Sequence, residues 1–116
     1  MGARQSTAIR VEHVLGEPIL VLAGDLDVRS TGELRAAVHE HIRACGTDLI
    51  SPVVLDISAV GSIDATALKV IAAASRQAQR YGVRVVLRGA QPAVRRMLHL
   101  THLIRLIEVE REPIPA

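Results

Sequence analysis

Phenylalanine and tryptophan are missing from this chain, and tyrosine occurs once, at Tyr81. That removes the stacking platforms on which single-strand nucleic-acid binders and RNA modules lay bases, so no nucleic-acid partner is expected. Cysteine is just as scarce. Cys45 stands alone, which excludes an internal disulfide and fits a reducing compartment. Lysine also occurs once, at Lys69, against 13 arginines, and the formal net charge is only +2. Long apolar runs are absent too: Asp, Arg or Gly interrupts every stretch that approaches the ~18 residues of a membrane span, so no membrane insertion is expected. Met1 to Ser6 carries Arg4 with no apolar segment behind it, so a secretory signal is not expected either and the protein reads as cytoplasmic. What is present is an ordinary globular composition, 49% hydrophobic and 22% charged over 116 residues. That is enough for one core and too little for two.

Ala8 to Val14 reads as a strand and Ile19 to Ala23 as a second one, ending at Gly24. Leu15, Gly16, Glu17 and Pro18 between them carry turn chemistry, which predicts an antiparallel hairpin. Ser30 and Thr31 can start a helix, with Glu33 completing a capping box. Leu34, Ala37, Val38, His41, Ile42 and Cys45 then fall on one face of it, and Gly46 ends it. Pro52 to Ile57 is a continuous apolar run suited to a central strand. A second helix is predicted from about Asp64 to Tyr81, with Leu68, Ile71, Ala72 and Ser75 inward and Lys69, Arg76, Gln77 and Arg80 outward. Val83 to Leu87 is the next strand. Pro92 opens a third helix that reaches about Leu100 and buries Val94, Met97 and Leu98. A last strand is expected over Ile104 to Val109, before a tail that Pro113 and Pro115 keep irregular. The order β-β-α-β-α-β-α-β defines an α/β fold: a single domain with a mixed β-sheet largely covered by α-helices. Residues 8 to 110 form it, between a flexible start over 1 to 7 and a flexible tail over 111 to 116.

The common catalytic constellations are missing. Asp25 and Asp27 read as solvated loop carboxylates and not as an acid and base pair. His99 and His102 share no third ligand at metal spacing, and His39 and His41 face different sides of their helix. His41 reads as a core histidine and Cys45 as an inert buried thiol. Arg88 to Pro92 lacks the second glycine and the lysine of a phosphate loop, and no Gly-x-Ser-x-Gly occurs. No metal and no cofactor are implied, and a binding or switching module is the better reading than an enzyme.

One segment, Val53 to Ile71, carries the functional signal. A buried strand is expected to run into a tight turn through Ser58, Val60 and Gly61, and a helix to begin near Ser62 to Thr66 with Ser62 or Asp64 as its cap. Backbone N–H groups at that start are unsatisfied and carry the positive end of the helix dipole. Ser62, Ala65, Thr66 and Ala67 are small and leave it open to a partner loop or a phosphate.

The run Leu55, Asp56, Ile57, Ser58, x, Val60, x, Ser62, Ile63, Asp64, Ala65, Thr66, Ala67, Leu68 resembles the signature of STAS domains, the group that includes bacterial anti-sigma factor antagonists and the cytoplasmic domains of sulfate transporters. Gly24 to Asp27 is similar to the family's Gly-x-Leu-Asp turn. Gly82 to Val85 and Pro92 to Leu98 fit its later strand and third helix. The resemblance implies a cytoplasmic protein that binds an anti-sigma factor of the serine-kinase type and so frees a sigma factor, with no catalysis of its own. It also implies a partner surface drawn from Asp25, Asp27, Ser30, Thr31, Ser62, Asp64, Ala65, Thr66, Ala67 and Lys69. In family members switched by phosphorylation, the serine after the motif aspartate accepts the phosphate. Here Asp64 is followed by Ala65, which carries no hydroxyl, and Ala67 replaces the usual glycine. The expectation is an antagonist without that serine switch, with Thr66 as the remaining candidate for phosphorylation. The alternative is a non-catalytic STAS subunit of a stress-signalling complex or a lipid-transport ATPase. The oligomeric state is left open.

Overall fold

A computed structural model describes residues 6–48 and 50–110 of the chain. Of the expected flexible ends, 1 to 7 and 111 to 116, residues 1 to 5 and 111 to 116 lie outside the described residues. Strands β1 (Ala8–Val14) and β2 (Glu17–Leu26) form the antiparallel hairpin. Its turn is tighter than the sequence suggests. Only Leu15 and Gly16 are turn residues, both with positive φ (53° and 82°), the two-residue geometry whose twist matches the strands it joins. Glu17 and Pro18 therefore belong to β2, opposite Val14 and His13.

Helix α1 (Thr31–Cys45) follows a 3-10 turn at Val28–Ser30, then come β3 (Val53–Ile63), α2 (Ala65–Arg80), β4 (Val85–Arg88), α3 (Pro92–Leu100) and β5 (Glu108–Val109). The sheet order is β1-β2-β3-β4-β5, parallel throughout except for the β1–β2 pair. Neighbouring parallel strands joined in chain order by right-handed crossovers put every helix on the same face. The core bears this out. Leu34 and Val38 of α1, Leu68 and Ile71 of α2, and Val94 and Leu98 of α3 share one cluster with Leu20, Leu22, Leu55, Val85 and Leu87 of the strands. Ile19, Val21 and Val54 form a small separate cluster.

Three expectations are corrected. Of the strand expected over Ile104 to Val109 only Glu108–Val109 forms, after a 3-10 turn, Leu103–Arg105, entered through His102 in the left-handed conformation (φ 60°). Leu103, Ile104 and Leu106 pack sideways on the core there instead of pairing in a ladder. The capping box before α1 joins Asp27 to Ser30, not Ser30 to Glu33: Asp27 Oδ1 accepts from Arg29 N at 2.9 Å and Ser30 Oγ accepts from Asp27 N at 3.0 Å. Ile42, Cys45 and Met97 are only half-buried.

His41 is buried, and loss of water holds its pKa below 6.5, while a hydrogen bond to the Val54 backbone works against that shift. Its ring Nδ1 lies 3.6 Å from Cys45 Sγ, and burial pushes the Cys45 thiol pKa up, as an inert thiol requires. The unfolded chain binds a proton at His41 more readily than the folded one, so this site contributes full stability above pH 6.5 and loses it as pH falls toward the folded pKa. Thermal melts at pH 7.5 and 5.5 are expected to show a larger drop for wild type than for His41→Leu. Equal drops would place the acid sensitivity elsewhere.

Candidate functional site

β2 and β3 are parallel neighbours, so their carboxyl ends emerge side by side, one leading into α1 and the other into α2. Between Val21 and Leu26 of β2, β3 spends two additional residues: Val21 pairs with Asp56 and Ala23 with Ala59, then Gly24 with Val60 and Asp25 with Ser62. The segment expected as a tight turn is thus a strand with two irregularities. Extra residues bend a strand and re-aim its side chains. Ile57, Val60 and Ile63 remain buried at three-residue intervals while Ser58, Ala59, Gly61 and Ser62 face water.

The bend is braced from the loop between β4 and α3. Gly89, with φ +78°, lies so close that a Cβ on it would stand 2.7 Å from the Ser58 Cβ, and Gln91 Nε2 donates to the Ser58 carbonyl at 2.8 Å. Nothing in the local pattern of Gly89 signalled this contact.

Asp64 joins the two loops. Its Oδ1 accepts from Ala67 N at 2.8 Å, capping α2, and its Oδ2 accepts from Val28 N at 3.1 Å, in the loop before α1. Asp64 N donates to the Leu26 carbonyl at 3.0 Å. One residue along the strand pair, Ser62 Oγ donates to Asp25 Oδ1 at 2.8 Å. The structure therefore brings both predicted loops into one surface. It also divides their residues by task. Ser62, Thr66 and Lys69 are exposed, and Asp25, Asp27, Thr31, Asp64 and Ala65 are half-buried. Ser30 and Ala67 are buried, so these two shape the surface from beneath instead of lining it.

One residue there escaped the sequence reading. Val28 is 62% exposed, an apolar side chain held at the surface by its own N–H bond to Asp64. An aliphatic residue inside a polar capping segment was the available signal. Gly61, expected in the tight turn, is instead an exposed residue of β3 beside Asp25. No group of three or more His, Cys, Asp or Glu that could hold a metal ion occurs among the described residues, and none of their helices is long and apolar enough to cross a membrane.

The helices thus cover one face of the sheet, and a braced, small-residue surface lies at the ends of its central strands. The STAS domain model matches residues 8–113, and the chain belongs to that family. The fold is similar to that of an anti-sigma factor antagonist from Mycobacterium paratuberculosis, at 22% identity and a TM-score of 0.72, over 97% of this chain and 92% of that one. It is similar to the anti-sigma factor antagonist SpoIIAA in its unphosphorylated form, at 19% identity and a TM-score of 0.67, over 90% of each chain. The murine anion transporter Slc26a9 contains a like domain: at 16% identity and a TM-score of 0.65, the match covers 87% of this chain and 19% of the transporter. At such identities the likeness speaks for the fold.

Proposed function

We propose that this chain is an anti-sigma factor antagonist that binds an anti-sigma factor of the serine-kinase type through the surface around Val28, Ser62, Thr66 and Lys69, and thereby frees a sigma factor. The reading implies a cytoplasmic protein. The observation that carries it is the position of Asp64, which ties the α2 start to the loop before α1 and presents both on one side. Ala65 sits directly after it, so the acceptor position of the phosphorylation switch holds a methyl group and binding is independent of phosphate there.

Charge reversal at Lys69 and Val28→Asp test the surface. Both side chains are exposed, so melting temperatures should stay near that of wild type. Affinity for the anti-sigma factor, titrated calorimetrically, is expected to fall at least about tenfold for each. Unchanged affinity for both variants would contradict the placement. Asp27 is a poorer probe than the sequence suggests, because it caps the 3-10 turn.

A further inference from the structure

The two edges of the sheet are built differently. β5 is two residues long, and Arg84 and Arg88 hold it through ion pairs to Glu108 and Glu110. β1 is a seven-residue edge with an unbroken register against β2, and it contains no proline, no lysine and no bulge. Long regular edges offer a free row of N–H and C=O groups to another strand, and proteins ordinarily blunt them. In a two-residue hairpin the closing pair, here Val14 with Glu17, exchanges hydrogen bonds, and every second pair after it does the same. The N–H and C=O groups of Val14, Glu12, Arg10 and Ala8 therefore turn toward β2, and those of His13, Val11 and Ile9 turn outward.

We propose that two copies of this chain pair through β1, antiparallel and centred on Val11, to form one continuous sheet. In that register outward backbone groups stand opposite each other: Val11 faces the partner's Val11 and Ile9 faces the partner's His13. It also sets Arg10 directly across from the partner's Glu12, twice, about the two-fold axis. Centring on Arg10 or Glu12 would oppose like charges instead, which destabilises a sheet. Within one chain Arg10 and Glu12 already share a face, with Arg10 Nε donating to Glu12 Oε1 at 2.8 Å. Val11, 50% exposed, and Val14, 45% exposed, gain apolar neighbours by the pairing. Val11 also lines an apolar groove of about 480 Å³ between β1 and α1, with Ile9, Leu20, Ala37 and Cys45, so the axis runs beside two such grooves on the helical face. The two binding surfaces then point in opposite directions, since the strands that carry them are antiparallel across the axis.

Sedimentation velocity tests the pairing with the full chain. Wild type is expected to approach twice the 12.5 kDa monomer mass as concentration rises, with slowed amide exchange at Ile9, Val11 and His13. R10E and E12R each turn two attractive cross-axis pairs into repulsive ones and should self-associate at least about tenfold more weakly. An equimolar mixture of the two variants restores opposite charges and should recover the dimer. The double variant R10E/E12R should dimerise as wild type does, and it keeps the strand's net charge if a single variant folds poorly. A wild type that stays monomeric at every concentration would overturn the proposal, as would single variants that dimerise unchanged or a folded mixture that remains monomeric.

Discussion

Leu68→Ala is expected to cost about 2 to 5 kcal/mol of folding stability, the range for truncating a large aliphatic side chain in a core that cannot collapse around the gap. Leu68 is fully buried on α2 and belongs to the cluster shared by all three helices and the sheet. With no Phe or Trp anywhere in the chain, the core is filled by many mid-sized side chains, and no large neighbour can swing into the space left. A domain of this size is stable by roughly 5 to 15 kcal/mol, so the change removes a large share. The melting temperature should fall by about 8 to 20 °C. Ile42, on the same stripe as the other α1 core residues but only half-buried, should lose less when cut to Ala. Chemical denaturation checks both. A loss under about 1 kcal/mol for Leu68→Ala would mean that the inner face of α2 is assigned wrongly.

Asp64→Ala should show the second largest effect, and in two readouts at once. Removing a helix N-cap typically costs about 1 kcal/mol. Here the same carboxylate also serves Val28 N across the loop pair, so a second donor loses its partner and a total near 2 kcal/mol is expected. Because that donor positions Val28, anti-sigma factor binding should weaken by more than the stability loss explains. Asp64→Asn retains an acceptor oxygen and should recover much of the stability. If Asp64→Ala melted like wild type, Asp64 would not be the joint between the two loops.

Much of this architecture is legible in the sequence because helix signals are local. Asp64, the Ala-rich stripe through Ser75 and Gly82 mark α2, and Pro92 marks α3, each to within a residue or two of the structure. The irregularities of β3 are not legible. Ser58, Gly61 and Ser62 have turn chemistry, and only the long-range pairing with β2 draws them into a strand. The last strand is shortened for the opposite reason: Ile104 and Ile107 favour a ladder locally, but the left-handed His102 and packing on the core bend the start of the segment into a 3-10 turn and leave only Glu108–Val109 paired. At the site, the residue types were readable and their division of labour was not. Ser30 has the residue type of a surface cap, but its hydroxyl is buried and accepts from Asp27 N, and nothing in the residue type of Val28 marks the exposure it has in the folded loop.

The claim that binding here is independent of phosphate is tested most directly by incubating the protein with its serine-kinase anti-sigma factor and ATP, then reading intact mass and complex formation together. Thr66 lies one residue beyond the usual acceptor, turned by about 100° around the helix. Wild type is therefore expected to gain no phosphate and to stay bound. Ala65→Ser, which puts a hydroxyl at the electrostatically favourable helix start, should gain one phosphate and dissociate. Stoichiometric phosphate on wild-type Thr66, with release of the partner, would contradict the account and make Thr66 the switch.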